Sequence, residues 1–312
     1  MAFIQGSLFR RAKLIQPFLS FLWKCRNNDL DFIFFSLYRY WRKLRMVYSI
    51  RNGFHVGLQV PIRKNKKLKA LLDHINEDAE LAQLWKCANI NAVDRSGIND
   101  HGEVHIRVVS NAALKILRLL VKGGVVPSVV GDHGMEVEDS ELIVVLAAAL
   151  HDIGISVHRE NHEQYSVSLA YPKARYLLEG IYTEPALTTI TSEVMHAVIA
   201  HNAQVTCLTV EAGILKVADA LDMSQGRSRI PFEAGKVNIH SLSAQAIDSV
   251  AIESGTDRPV KLVINLANSA GIFQVDELLR HKLKNSTIEM YVEILAKIEG
   301  NAEKRVIEMY TP

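Results

Sequence analysis

Residues 146–163 read LAAALHDIGISVHRENHE and place a histidine and an aspartate, His151 and Asp152, side by side at the end of an almost wholly apolar helix. Burying a polar group without a partner costs about 1–3 kcal/mol in proteins. The pair therefore needs a partner inside the protein, and for an imidazole next to a carboxylate we expect that partner to be a metal ion.

Further residues of the same two ligand types lie on both sides of this stretch. They are His105 upstream and His162, His201 and Asp219 downstream. Adjacent residues of a helix diverge by about 100°, so His151 and Asp152 can share one ion only if neighbouring helices complete the site. Imidazole and carboxylate ligands without thiolates suit Mn, Fe, Co, Ni, Zn or Mg rather than structural zinc.

The composition is that of a globular protein with a substantial core, since 48% of the 312 residues are hydrophobic. Its three cysteines, Cys25, Cys87 and Cys207, have no CxxC spacing. This argues against a disulfide framework and against a thiolate zinc site. We therefore expect a reducing, cytoplasmic location.

The N-terminal segment differs from the rest of the chain. Residues 1–51 carry ten Lys and Arg against two acidic residues, so the basic pI reflects this segment and indicates no nucleic-acid binding by the body. Its apolar runs of about ten residues are too short for a bilayer, which takes about 20. Weak contact with a membrane surface, packing on the body and a start codon assigned too early are the alternatives for residues 1–60.

Residues 61–230 have the apolar spacing of three and four that predicts helices. The helix that leads to His151 is apolar on every side, which predicts a place at the centre of a bundle. We expect Asp139 and Ser140 to cap its start and Gly154 to end it. The following helix contains Pro172, and the sequence leaves open whether the helix breaks at this residue.

After Pro231 the pattern changes. AIDSVAIESG and RPVKLVINLAN predict two strands, IFQVDELLRHKLKNS a helix and TIEMYVEILAKIEG a further strand. The expected fold is therefore mainly α. It has an N-terminal extension at 1–60, a helical domain at 61–230 and a small α+β domain at 231–312.

The order of His105, then His151-Asp152 followed by Ile-Gly, then a helix KVADALD carrying Asp219 resembles the HD-domain superfamily of metal-dependent phosphohydrolases. The resemblance covers roughly residues 100–225 and extends over the C-terminal unit, whose layout is similar to that of archaeal and cyanobacterial HD proteins. It implies an HD helical bundle in which these four residues bind a divalent metal. It also implies a nucleotide or related phosphate ester as substrate.

The resemblance leaves the number of ions open at one or two. In two-metal members of the superfamily, additional histidines between the HD pair and the last aspartate bind a second ion. His162 and His201 are the pair that we predict to face the site here. In single-metal members, equivalent residues contact the phosphate or relay protons, so the role of this pair also stays open.

Three basic residues are candidates for phosphate binding. Arg227 and Arg229 lie in SQGRSRIPF, where guanidinium groups suit a phosphate, and a basic hinge between the two domains is the alternative. Many superfamily members have a Lys or a similar polar group directly after HDIG, where this chain has Ile155. Lys216 is one candidate to replace it, and a helix-face Lys paired with an acid is the alternative. Asp222 is read as a general acid or base, or as a surface or capping residue.

The sequence thus predicts a metal-dependent phosphohydrolase that acts on a small phosphorylated molecule, and a homodimer is compatible with it. One alternative is a nucleotide-responsive regulatory module that keeps the metal pocket and turns over little. Another is a di-iron oxygenase, for which His162 and His201 would complete a set of six ligands.

Overall fold

The computed structural model describes residues 57–223, 243 and 246–298. The predicted extension at 1–60 therefore lies almost wholly outside the described residues. Arg227 and Arg229 also lie outside them, and the division into three domains stays a prediction. The described residues form nine α-helices: α1 (Lys66–Glu77), α2 (Ala79–Asn89), α3 (Glu103–Lys122), α4 (Ser128–His133), α5 (Val137–Leu150), α6 (His162–Leu177), α7 (Ala186–Ala200), α8 (Val210–Ala220) and α9 (His281–Lys284).

Helix α5, which leads to His151, is the centre of the bundle. Every residue from Asp139 to Leu150 is buried, and the helix packs against α1, α3, α7 and α8. A helix without a polar face must be covered on all sides, so the prediction of a central helix is confirmed.

The start of α5 differs from the prediction. The helix begins at Val137 with Glu136 as its N-cap, one turn before the expected cap at Asp139 and Ser140. Asp139 instead lies inside the first turn, where its Oδ2 accepts the backbone N–H of Glu136 at 2.9 Å. The two acidic side chains form a reciprocal capping box.

Gly154 has a different role from the predicted helix stop. Helix α5 already ends at Leu150, and Gly154 lies in a 3₁₀ turn, Ile153–Ser156. A Cβ atom on Gly154 would lie 2.1 Å from the backbone oxygen of His162 and 2.3 Å from the backbone nitrogen of Ser166. Glycine is therefore needed because the turn packs directly on the backbone of α6, which runs through Pro172 without a break.

The C-terminal unit contains the predicted strands, β1 (Ile247–Ser254), β2 (Val260–Leu266) and β3 (Val292–Ile298). They form one sheet in the order β1-β2-β3, in which β1 pairs antiparallel and β3 parallel with β2. The parallel pair needs a crossover connection, and the helical segments Gln274–Arg280 and α9 supply it. The mainly α fold with a small C-terminal α+β unit is confirmed.

The segment that follows α9 lies against α8 and the loop before it. Thr287 Oγ1 donates to the carbonyl of Thr209 at 2.7 Å, and Asn285 Nδ2 donates to that of Ala203 at 2.9 Å. A Cβ on Gly213 would lie 2.6 Å from Thr287 Oγ1, so a side chain there would separate the two segments. These contacts bring α9 close to the C-terminal end of α8.

None of the helices in the described residues combines the length and the apolar character that crossing a lipid bilayer would require.

Candidate metal centre

The four predicted metal ligands, together with His162 and His201, lie at or next to helix ends that meet at one place. Two come from N-terminal ends, His105 in the first turn of α3 and His162 as the first residue of α6, and four from C-terminal ends, namely His151 and Asp152 after α5, His201 after α7 and Asp219 in the last turn of α8. The C-terminal end of a helix carries a partial negative charge. Three such ends therefore favour a cation at this place.

The histidines at two of the C-terminal ends are oriented by their own helices. His151 Nδ1–H donates to the carbonyl of Ala148 at 2.9 Å, and His201 Nδ1–H donates to that of Val198 at 2.5 Å. These carbonyls belong to the last turn of each helix, where no intrahelical donor is available. Because Nδ1 donates outward, Nε2 of each ring faces the cluster, as in metal-binding histidines.

His105 is oriented by a carboxylate instead. Its Nδ1 lies 2.6 Å from Oδ2 of Asp222, which fixes the proton on Nδ1 and turns Nε2 inward. Such a carboxylate–histidine pair raises the basicity of a ligand nitrogen. The sequence drew attention to Asp222 only as a general acid or base, or as a surface or capping residue. Its contact with His105 was not foreseen, although its position three residues after Asp219 puts it on the same side of the helix end.

Asp152 lies between two pairs of histidines. Its Oδ2 is 3.3 Å from Nε2 of both His105 and His151, and its Oδ1 is 3.2 Å from Nε2 of His162 and 3.7 Å from that of His201. Its carboxylate is thus shared by two groups of ligands. Each group has its ligand atoms within 4.8 Å of one another: His105, His151 and Asp152, and Asp152, His162 and His201.

The spacing of the ligand atoms suits a bound metal ion better than direct contact between the imidazole rings. Nε2 of His105 lies 3.2 Å from Nε2 of His151, and Nε2 of His162 lies 3.1 Å from that of His201. Two unprotonated imidazole nitrogens at this distance repel through their lone pairs, unless a proton or a metal ion lies between them. All four rings are buried beside a buried carboxylate, and nitrogen and oxygen donors of this kind suit a divalent transition metal.

Asp219 adds a second carboxylate to the first group. Its Oδ1 lies 3.3 Å from Nε2 of His105 and 3.7 Å from that of His151. Its other oxygen, Oδ2, accepts a hydrogen bond from Nζ of Lys282 in α9 at 2.5 Å. No pattern in the sequence pointed to Lys282, because it is 63 residues away from Asp219.

The charges of the cluster indicate the place of a cation. Burial by itself would lower the pKa of His151, but Asp152 and Asp219 outweigh it and raise that pKa to about 10. Burial would raise the pKa of Asp152, yet His151 and the other histidines hold it well below its usual range. Burial and the charge of His151 lower the pKa of His201. The proton on His151 therefore places a positive charge between the carboxylates of Asp152 and Asp219, where a cation would also be favoured.

The remaining candidates lie outside this cluster or outside the described residues. Lys216 is fully buried, and its Nζ donates to the backbone carbonyls of Val205 and, at 3.4 Å, of Asn285. Its role in phosphate binding stays a prediction, as do those of Arg227 and Arg229. At the edge of the cluster, the exposed Arg159 was not singled out from the sequence, and its Nη1 lies 2.8 Å from Nδ1 of His162.

Five of the six candidate ligands lie in a segment that matches a known protein family. The family model described as HD domain matches residues 112–224. The chain is 42% identical over 243 residues to the uncharacterized protein MJ1020 of Methanocaldococcus jannaschii, an alignment that covers 78% of this chain and 93% of the relative. No solved structure matches the chain significantly.

Proposed function

Because this chain belongs to the HD-domain superfamily, we propose that it is a metal-dependent phosphohydrolase that cleaves a phosphate ester, with a nucleotide or a related small molecule as substrate. Members of the superfamily are generally metal-dependent hydrolases. The observation that carries the proposal is the position of Asp152, whose two carboxylate oxygens face two pairs of histidine Nε2 atoms. This donor set suits either one or two divalent ions.

The chain's own residues define what the site would do. His105, His151, Asp152 and Asp219 would hold one ion, and Asp152 with His162 and His201 would hold a second. A divalent ion supplies Lewis acidity towards a phosphoryl oxygen and lowers the pKa of a bound water towards about 7.

The surroundings of these ligands support that role. Asp222 keeps the proton of His105 on Nδ1, and the carbonyls of Ala148 and Val198 do the same for His151 and His201. The buried position of the rings excludes bulk water, so electrostatic interactions there are stronger than at the surface.

The first experiment measures phosphate release from a panel of nucleotides and phosphate esters by the full chain loaded in turn with Mn²⁺, Zn²⁺, Mg²⁺ or Fe²⁺. We expect release with at least one metal and its loss in Asp152→Asn, which preserves the size of the side chain and removes its charge. Metal content is measured in the same samples, and we expect it to fall in this variant because both groups of ligands share Asp152.

Asp73→Asn is the matched control, because Asp73 lies on the exposed face of α1 in an ion pair with Lys69. This variant should keep both metal and activity. Full activity of Asp152→Asn with bound metal would refute the assignment of the site. Oxygen uptake by the Fe²⁺-loaded protein is measured in parallel, since six ligands of this kind also suit a di-iron oxygenase.

A regulatory module is the second candidate function, and one contact favours it. Lys282 of the C-terminal unit pairs with the metal-ligand candidate Asp219, and Thr287 hydrogen-bonds to the residue that caps α8. A metal ion or ligand bound at the site would therefore act directly on contacts of the C-terminal unit. More than one equivalent of product per protein molecule would exclude a pure sensor.

A further inference from the structure

The exposure of the cluster is uneven and marks the side from which a substrate can enter. The side chains of the four histidines and of Asp152 are 0–7% exposed, whereas those of Asp219 and Lys282 are 14% and 19% exposed. Asp222, on the same helix end as Asp219, is 11% exposed. Within the described residues, the cluster thus meets solvent on the side where the end of α8 faces α9.

Among the described residues, Lys282 supplies an ammonium group on this side. Its Nζ binds Oδ2 of Asp219, and the other oxygen of the same carboxylate, Oδ1, lies 3.3 Å from Nε2 of His105. The ammonium therefore contacts one oxygen of a candidate metal ligand whose other oxygen faces the histidines. A lysine ammonium carries three donor hydrogens, so the bond to Asp219 leaves donors for an anion that arrives from solvent.

The position of Lys282 is fixed by the structure around it. The segment that follows α9 is held by the hydrogen bonds of Asn285 to Ala203 and of Thr287 to Thr209, and Leu283 is buried in the core beside it. The side chain of Lys282 is consequently held next to Asp219 by tertiary contacts, although it comes from the C-terminal unit.

We propose that Lys282 binds the phosphate of the substrate. A phosphate oxygen beside the ligand atoms would be in reach of Nζ, and lysine is well suited to phosphate as a point charge on a flexible stem. In the absence of substrate the ammonium is held by Asp219. This inference rests on the proposed function, and it assigns to the C-terminal unit a residue that contacts the substrate.

The test uses the full-length protein loaded with Mn²⁺ and inorganic phosphate as the probe. Isothermal titration calorimetry gives the phosphate affinity of the wild type, of Lys282→Gln and of Lys282→Arg, and the metal content of each is measured separately. We expect Lys282→Gln to weaken phosphate binding by about 10-fold, the value of one hydrogen bond to a charged group. The neutral amide of Gln is one bond shorter than the lysine side chain and does not ligate a metal, so we expect the metal content to stay unchanged. Lys282→Arg should retain most of the affinity.

Lys284→Gln is the matched control, because Lys284 lies in the same short helix and is exposed. It removes the same charge from the chain and should leave phosphate binding unchanged. If Lys282→Gln binds phosphate as tightly as the wild type, the proposal is wrong. It is also wrong if Lys282→Gln loses metal together with phosphate, because Lys282 would then act by holding Asp219.

These outcomes are separable from those of the proposed function. Phosphate binding that depends on Lys282 without any turnover would support the contact between Lys282 and phosphate, refute hydrolysis and favour the regulatory module. Hydrolysis by the wild type, together with unchanged phosphate binding by Lys282→Gln, would refute this inference alone.

Discussion

Replacing Gly154 by Ala should separate the 3₁₀ turn that follows Asp152 from helix α6. The added Cβ would lie 2.1 Å from the backbone oxygen of His162, and 3.4 Å is the lower limit of an ordinary contact. The two backbone segments must therefore separate by about 1.3 Å, the difference between these two distances. Neither contact atom can rotate away, because the atoms within 2.3 Å belong to the backbone.

The expected cost is at the upper end of the range for overpacking, about 3 kcal/mol of the free energy of unfolding. His162 moves with the start of α6, and a metal site tolerates displacements of only about 0.5 Å. We therefore expect Gly154→Ala to lose affinity for an ion that His162 and His201 would hold under the proposed function. The group that contains His105 and His151 should be affected less.

Urea unfolding of the metal-free protein measures the first effect, and metal titration monitored by calorimetry measures the second. Gly131→Ala is the matched control, because its φ is not positive and the nearest atom to an added Cβ is 3.7 Å away. As Gly131 lies inside α4, this change should be neutral or stabilising by up to about 1 kcal/mol. A Gly154→Ala protein with wild-type stability and wild-type metal affinity would refute the reasoning.

Two further predictions concern the orientation and the charge of the ligands. Asp222→Asn should weaken metal binding by about 10–100-fold, because it removes the negative charge that orients His105. Competition with a chelator measures the metal affinity, and Asp257→Asn is the control because Asp257 is exposed. Equal metal affinities of Asp222→Asn and the wild type would contradict the assigned role. Because the pKa of His151 in the metal-free protein is raised to about 10, an ion that binds at pH 8 must displace its proton, so affinity should rise with pH up to about 10. Calorimetry in two buffers with different ionisation enthalpies detects this proton, and identical heats in both would show that none is released.

The sequence by itself determined the fold class and the superfamily. Helix α5 was recognisable because its residues are apolar on every side, which is possible only for a helix covered by others. The strands of the C-terminal unit were recognisable because their pattern differs from that of the helices. The residue types of the cluster were also readable, since His and Asp at the ends of apolar helices need partners.

Only the tertiary structure decided how these residues are arranged. Asp222 and His105 are 117 residues apart, and Lys282 and Asp219 are 63 apart, so no local spacing predicts either contact. Periodicity gives the face of a helix on which a side chain lies, but the packing of helices decides which side chains meet across it. For the same reason Gly154, expected to end a helix, turned out to be required by the approach of a second helix.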